Sequence, residues 1–360
     1  MTTTARVDVV IPCYKYGHYL RNSVGSVLSQ AGVDVRVLII DDASPDKTGE
    51  IAEELSRQDK RIDVIRHAAN RGHIQSYNEG IDWTSGDYWL LLSADDMLAP
   101  GALARAAAIM SKHPSVGLTY GRALKAAAVD DFPAPCDRDE FLIIQGADFL
   151  RFVCETASNP VPTPTAVVRT SLQKSIGGYL KDLPHSGDAE LWMRIAVYAD
   201  VCALKACQAL YRWHGANMQL DYLRPGIGDL AESWQAFETV FANHGMHVPD
   251  RVRLSETANR VFAEQAFWKA SRAFDGGYVE AFDDCLEFAR KRSPALTRTA
   301  AWRRLQCKAM LGPRLWTTMA PLVNRFRSTE DPAPKPVALD TVHLIGAWPA
   351  QGPTRHLDLA

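Results

Sequence analysis

Short apolar runs alternate with stretches of helical periodicity through the first 113 residues. Val7-Asp8-Val9-Val10-Ile11-Pro12 reads as a buried strand, and Tyr19 to Gln30 as a helix with Leu20, Val24, Val27 and Leu28 on its apolar face. Val35 to Ile40 is a second strand, Thr48 to Gln58 a second helix, and Ile62-Asp63-Val64-Ile65 a third strand. The loop Asn70-Arg71-Gly72 leads into a helix through Tyr77 and Ile81. Tyr88 to Leu92 is the fourth strand and Pro100 to His113 the next helix. This alternation predicts a parallel sheet with right-handed crossovers. Val116–Tyr120 and Ala166–Arg169 read as further strands flanking a polar stretch from Asp130 to Asp139. Three prolines between Ser158 and Pro164 exclude a helix there, and Ala189 to Val197 is helical.

From Ile227 onward the pattern is helical throughout. Ile227, Leu230, Trp234, Phe237 and Phe241 share one face. Leu254, Ala258, Val261 and Trp268 mark a second helix, and Val279, Phe282 and Leu286 a third. Between Arg290 and Arg327 no acidic residue occurs, while Arg and Lys recur. Two short amphipathic helices fit there, broken at Gly312-Pro313, the second carrying Leu315, Met319, Leu322, Val323 and Phe326. The basic stretch suits an anionic membrane face, or a solvated outer face whose apolar stripe packs on the preceding helices. The expected plan is an α/β domain over 1–220, a helical region over 221–327 with a basic amphipathic end, and a disordered tail over 328–360, rich in proline and small residues.

Size and charge narrow the function classes. The 360 residues are 47% hydrophobic, enough for a large core, and the net charge of −2 argues against nucleic acid as a partner. Seven cysteines show no zinc-like spacing, which predicts free thiols in a reducing cytosol. The N-terminus enters a strand almost at once without a signal-peptide pattern, and no apolar run reaches the roughly 18–20 residues of a spanning helix. The expected location is cytoplasmic, or peripheral on the inner membrane face.

Acids at strand ends carry the candidate chemistry. Asp41-Asp42 ends the second strand, and Asp95-Asp96 follows the fourth through Ser93-Ala94. An open parallel sheet places its ligand crevice at that edge. Two adjacent carboxylates there repel unless a cation or hydrogen-bond donors hold them. Taken alone, each pair reads better as a turn or a helix cap. Asp188 follows Ser186-Gly187, and His214 follows Tyr211-Arg212-Trp213.

In order along the chain stand Val9-Val10-Ile11-Pro12-Cys13-Tyr14, Ile40-Asp41-Asp42-Ala43-Ser44-Pro45-Asp46, Asn70-Arg71-Gly72, Ser85-Gly86-Asp87-Tyr88, Ala94-Asp95-Asp96 and Gly187-Asp188-Ala189-Glu190-Leu191-Trp192. The series resembles the family 2 glycosyltransferases of the GT-A fold, and Tyr211-Arg212-Trp213-His214-Gly215-Ala216-Asn217 resembles the segment that closes many such domains. The resemblance covers about the first 220 residues. It implies a Rossmann-like, mostly parallel sheet flanked by helices, followed here by an α-helical extension. It also implies an inverting transferase that moves a sugar from a nucleotide-sugar, usually a UDP-sugar, to a hydroxyl of a glycan or lipid-linked acceptor, with Mg²⁺ or Mn²⁺ as cofactor and a place in bacterial surface-polysaccharide synthesis.

By the same resemblance Pro12 and Tyr14 border the base, Asp42 reads uracil, and Asn70 and Gly72 belong to the nucleotide-sugar site. Asp95 faces the ribose or the metal, Asp96 is the main metal ligand, and Asp188 is the general base. His214 is a further metal or diphosphate contact in only some members. Glu190 is a reserve base, and Asp188 also reads as a cap of the helix starting at Ala189, a role that competes with the first because capping lowers a carboxylate's basicity. Arg71, His185, Trp192 and Trp213 have cleft readings beside blander ones on the surface or in the core.

Two departures stand out: Ser93 occupies a position where many members carry an acid, and Lys15 replaces a frequent asparagine. The missing acid is the one support for an alternative, a catalytically idle nucleotide-sugar-binding scaffold. A nucleotidyltransferase would need a glycine-rich basic loop after the first strand, which Cys13-Tyr14-Lys15-Tyr16-Gly17 does not supply.

Overall fold

The computed structural model describes residues 4–127, 140–218, 220, 226–312, 315–316 and 343–346. The strands are β1 (Arg6–Cys13), β2 (Asp34–Asp41), β3 (Ile62–Arg66), β4 (Tyr88–Leu91), β5 (Met97–Leu98), β6 (Val116–Ala126), β7 (Phe141–Ile144), β8 (Val167–Arg169), β9 (Asp200–Arg212) and β10 (His343–Ile345). The helices are α1 (Gly17–Leu28), α2 (Thr48–Gln58), α3 (His73–Trp83), α4 (Ala102–Lys112), α5 (Gly146–Thr156), α6 (Thr170–Ile176), α7 (Gly187–Tyr198), α8 (Gly228–His244), α9 (Arg251–Asp275), α10 (Val279–Arg292) and α11 (Ala300–Met310). The chain divides into two compact units: Met1–Leu150 with Asn159–Gly215 and the C-terminal strand, and Arg151–Ser158 with Ala216–Ala338.

The first unit is built on one sheet in the order β3-β2-β1-β4-β8-β6-β9-β5, with β7 on β9 and β10 on β6. β3, β2, β1 and β4 are parallel, as the β-α alternation predicts. Beyond β4 the sheet is mixed: β8 runs antiparallel to both β4 and β6, whereas β6 and β9 are parallel. The chain leaves β1 toward β2 on one side and returns from β3 to β4 on the other. The strand order therefore reverses between β1 and β4, and a crevice opens at their C-terminal ends. Strand side chains at Val7, Val9, Ile11, Val37, Ile39 and Leu90 interlock with α1 and α4 through Leu20, Val24, Leu103 and Ala106 in one core. Helix α3 packs on β1 through Gly80, where a Cβ would lie 2.3 Å from Val10 Cγ1.

Three elements depart from the hydrophobic pattern. β6 runs six residues past the expected end at Tyr120. β9 is not anticipated at all, because its 13 residues are buried on both faces and rich in Ala and Cys, so no alternation of period two survives. The proline-rich loop contains a 3₁₀ turn at Thr163–Thr165, short enough to tolerate Pro164 inside it. The polar stretch 130–139 lies outside the described residues.

In the second unit, α9, α10 and α11 share a core of Phe267, Phe274, Phe282, Cys285, Leu286, Trp302 and Leu305. The buried stripe of α9 runs through Leu254, Ala258, Phe262, Ala266 and Ala270. Val261 is one step off that stripe and only partly buried, and Trp268 faces outward, so the expected face is corrected there. Val279 starts α10 exposed, while Phe282 and Leu286 are buried as expected. The helix α11 occupies the first half of the basic stretch. Pro313 and residues 317–327, which include most of the second expected basic helix, lie outside the described residues. So does most of 328–360, within which His343–Ile345 pairs antiparallel with β6. Among the described residues no helix is long and apolar enough to cross a membrane, and the six described cysteines are free thiols.

Candidate active site

The end of β4 turns sharply. The Asp96 N–H donates to the Ser93 carbonyl at 3.0 Å, and β5 then pairs antiparallel with β9, Met97 opposite Leu210. That pairing draws the end of β9 onto the acidic pair. The Arg212 N–H donates to Asp96 Oδ1 at 2.9 Å, and Arg212 Nε donates to the Asp95 carbonyl at 2.9 Å. Asp96 is 2% exposed, and its Oδ2 has no hydrogen-bond partner among the described residues. Burial, and then the neighbouring Asp95, push the Asp96 carboxyl well above the usual range. Burial also raises Asp95, with His214 and Arg212 opposing it. His214 Nε2 lies 3.1 Å from Asp95 Oδ2. The two were linked by resemblance alone in the sequence, and the fold places them together.

The His214 ring stacks on Tyr19 at 5.3 Å and meets Tyr16 edge-on at 5.5 Å, and the Arg212 guanidinium lies over the Tyr19 ring, 4.8 Å from its centroid. Burial, and then Asp95, raise the Tyr16 phenol to about 12. The residue types fit a hard divalent cation: a buried, acceptor-only oxygen at Asp96 without a partner, beside Asp95 and His214. Among the described residues no group of three ligands is already assembled around one point.

At the end of β2, the two acids part. Asp41 turns into the fold, where Oδ1 accepts from the Ser44 N–H at 3.0 Å and Oδ2 lies 3.5 Å from Arg66 Nε. Asp42 organises the next loop. Its Oδ1 accepts from the Arg71 N–H at 2.7 Å and lies 2.7 Å from His67 Nδ1; Oδ2 accepts from the Gly72 N–H at 2.9 Å. Asn70 Nδ2 donates to the Asp42 carbonyl at 3.2 Å. Gly72 holds φ of 84° at the start of α3 with open space beyond its Cα, so backbone conformation rather than crowding calls for glycine. Arg71 contributes its backbone, and its side chain is exposed. Pro12, next to last in β1, is half-buried, Tyr14 is 41% exposed, and the Lys15 ammonium rests 4.9 Å from the Tyr14 ring. Lys15 has φ of 64°, a left-handed conformation that asparagine adopts readily.

Asp188 is the second residue of α7, not the residue before it. No side-chain bond caps that helix, so the capping reading is set aside. Its carboxylate instead accepts a short hydrogen bond from Thr163 Oγ1, in the 3₁₀ turn of the proline-rich loop. Burial raises the Asp188 carboxyl; the Thr163 hydroxyl, Tyr179, His73 and His185 oppose that shift. His73 is tied to the Pro184 carbonyl through Nε2 at 2.7 Å, and His73, Tyr77 and Tyr179 form an edge-to-face series. Burial raises the Tyr211 phenol, and Asp96, Asp95 and Asp188 all raise it further. Lys125 lies 3.4 Å from the Trp213 ring centroid and 6.0 Å from that of Tyr211.

Two bland readings hold. Trp192 is 2% exposed in the core, and Glu190 is buried against Arg194 at 2.7 Å. The residues missed by sequence reasoning are Tyr16, Tyr19, Arg212, Tyr211, His67, Glu79, Thr163, Tyr179, His73 and Tyr77. A signal existed for His67, which directly follows β3 at the edge where ligands bind, and for Tyr211 and Arg212, which adjoin His214. Thr163 carried none, since only the fold brings it to Asp188.

Residues 8–150 match the family model described as Glycosyl transferase family 2. An uncharacterized glycosyltransferase of Haemophilus influenzae is 26% identical over 215 residues, 58% of this chain and 66% of that protein. Glycosyltransferase GlyG of Streptococcus pneumoniae is 33% identical over 92 residues, 26% of this chain and 31% of that protein. The chain thus spans less than two thirds of either relative. Among solved structures, S. aureus TarS 1-349 in complex with UDP-GlcNAc superposes with a TM-score of 0.62 at 16% identity, covering 89% of this chain and 93% of that one. Mannosyltransferase PcManGT from Pyrobaculum calidifontis, in complex with GDP-Man and Mn²⁺, does so with a TM-score of 0.52 at 16% identity, covering 90% and 88%.

Proposed function

We propose that this chain, whose residues 8–150 match glycosyl transferase family 2 and whose fold is GT-A, is an inverting, metal-assisted transferase using a nucleotide-sugar, most readily a UDP-sugar. The observation that carries this reading is the acidic pair at the end of β4, with Asp96 held by the Arg212 N–H, Asp95 beside His214, and a buried Asp96 oxygen that has no partner among the described residues.

In this reading Asp96, aided by Asp95 and His214, holds the divalent ion. When bound, the ion supplies positive charge to the departing diphosphate. Asp42 offers its remaining lone-pair site on Oδ2 to the imide N–H of uracil, and Pro12 and Tyr14 border the base, with Asn70 and Gly72 shaping the loop beside it. Asp188 Oδ takes the proton of the acceptor hydroxyl as that oxygen bonds to the anomeric carbon and the nucleoside diphosphate leaves from the opposite face. One displacement from one face gives inversion. A raised Asp188 pKa suits a base that must accept a proton. The acceptor is a hydroxyl of a glycan or lipid-linked glycan, and the setting is surface-polysaccharide synthesis on the cytoplasmic side.

The test is a thermal-shift screen of UDP-GlcNAc, UDP-Glc and GDP-Man with and without Mn²⁺, since a ligand that binds the folded state stabilises it by mass action. A metal-dependent shift, with slow donor hydrolysis, supports the reading. No shift with any nucleotide-sugar overturns it, and binding without hydrolysis or transfer favours the idle scaffold.

A basic, membrane-facing role for 290–327 draws support from exposed Arg290, Lys291, Arg298, Arg303 and Arg304, and from exposed Met310, Leu311 and Leu315. The apolar stripe of α11 is not available for lipid, because Trp302 stacks on Phe267 at 5.8 Å. Flotation with anionic against zwitterionic vesicles tests the role. Equal flotation of the native protein and R303E/R304E overturns it.

A further inference from the structure

The mechanism above leaves the buried imidazole of His67 unused. His67 follows β3, its side chain is 2% exposed, and it lies between two carboxylates: Nδ1 is 2.7 Å from Asp42 Oδ1 and Nε2 is 2.6 Å from Glu79 Oε2 on α3. Ionised carboxylates only accept hydrogen bonds, so both ring nitrogens must carry protons to satisfy both contacts. The His67 N–H also donates to the Asp41 carbonyl at 2.9 Å, which fixes its backbone to β2.

We propose that His67, as an imidazolium bridging Asp42 and Glu79, is a positioning residue that sets the nucleotide-facing carboxylate for donor binding. The proposal rests on the reading of Asp42 as the acid that meets the base. Its geometric logic is one of saturation. A carboxylate offers about four lone-pair sites. In Asp42, His67 and the Arg71 N–H fill those of Oδ1, and the Gly72 N–H fills one of Oδ2. One site is left, on Oδ2, and its direction is fixed only while the other three hold. Glu79 makes the bridge a link between the β2–β3 edge and α3, so the same contact holds the Asn70-Arg71-Gly72 loop and the helix that starts from it.

The charged groups around His67 are few. From the end of β2 comes Asp41, turned toward Arg66, and from the residue after it Asp42; from α3 comes Glu79; the Arg71 side chain is exposed. Burial lowers the pKa of His67, but Asp42 and Glu79 raise it by more, and the net direction is upward from 6.5. The bridge is therefore complete below the ordinary histidine range, and is lost as pH rises through the raised pKa.

The experiment measures UDP affinity in the presence of Mn²⁺ by calorimetry, across about pH 6 to 8.5, a window in which an unperturbed histidine titrates and uracil stays neutral. Native protein, H67L, H67N and E79Q are compared, with melting curves as a check on folding. H67L is expected to bind UDP at least roughly tenfold more weakly, the scale of a lost charge-assisted hydrogen bond. H67N keeps a donor toward Asp42, so it is expected to recover most of the affinity and to lose the fall with pH. E79Q is expected to move that fall to lower pH. Nitrogen-edited NMR of the native protein at pH 7 should show both ring nitrogens of His67 protonated. A neutral His67 there, folded H67L with native affinity, or the same pH dependence in native protein and H67N would each overturn the proposal. If the native protein binds no uridine nucleotide, the donor reading falls first and this proposal with it; native binding with an indifferent H67L removes this proposal alone.

Discussion

The backbone N–H of Arg212 donates to Asp96 Oδ1 across 2.9 Å, joining residues 116 positions apart. The bond orients the carboxylate so that Oδ2 stays buried and without a partner. Such an oxygen is costly in the ligand-free protein and valuable once a cation is bound. D96N is therefore expected to lower kcat by about 100-fold or more, the scale of several kcal/mol of lost charge stabilisation. It should also abolish the Mn²⁺-dependent part of the UDP thermal shift, without lowering the melting temperature of the ligand-free protein. Undiminished stabilisation of D96N by Mn²⁺ with UDP would remove Asp96 as the ligand.

Thr163 and Asp188 give a prediction about pH. The Thr163 hydroxyl donates to the Asp188 carboxylate and so favours its ionised form, against burial, which disfavours it. A general base must be ionised to act, so kcat/KM should rise as pH rises through the Asp188 pKa. T163V removes the hydroxyl while keeping the shape, and the acidic limb of the profile should move to higher pH. D188N should lower kcat by about 10²–10⁴-fold while donor binding persists. An acidic limb that stays in place in T163V means that another group sets it.

The first four strands and their helices were legible because each strand is a short apolar run bounded by turn residues, and each helix shows one stripe. Asp42, Asp95 and Asp188 were legible as an ordered series. Their working partners were not. Thr163 reaches Asp188 only because the 3₁₀ turn in the proline-rich loop sets it beside α7, and Arg212 reaches Asp96 only because β5 pairs with β9. β9 itself escaped the pattern because burial on both faces erases alternation. Contacts of that kind are tertiary, and local periodicity carries no trace of them.

Glu190 lies two residues beyond Asp188 and has a different task. Its Oε2 meets Arg194 at 2.7 Å, and Arg194 in turn donates to the carbonyls of Ile176 and Gly178. Both side chains are nearly inaccessible to solvent. E190A leaves the Arg194 charge buried without its carboxylate and should cost about 3–5 kcal/mol of stability in urea denaturation. Below the melting transition its kcat should stay within about threefold of native, a change of well under 1 kcal/mol in the barrier. Stable E190A protein with kcat reduced like D188N would make Glu190 the base.

Asp8 holds the start of β1 to two neighbouring segments. Arg36 on β2 donates to it through Nε at 2.9 Å and Nη2 at 2.8 Å, and the Ser85 and Gly86 N–H groups donate at 2.6 and 2.7 Å. Burial alone would raise the Asp8 carboxyl, but Arg36 and the two amides more than offset it, and the pKa lies below its ordinary value. A depressed acid contributes stability that is present above its unfolded pKa of 3.8 and is lost as pH falls through the folded pKa. R36M removes the bidentate partner while retaining much of the contact with the Trp83 ring, 4.4 Å away. Because Arg36 is about one-third exposed, the cost at pH 7 should fall at or below the low end of a broken buried pair, about 2–3 kcal/mol. Acid unfolding of R36M should begin at higher pH than in the native protein, since Asp8 then takes up its proton earlier. D8N should flatten the pH dependence of stability below about pH 4. Urea denaturation at a series of pH values reads all three, and an R36M protein within about 0.5 kcal/mol of native at pH 7 would show the pair to be without weight.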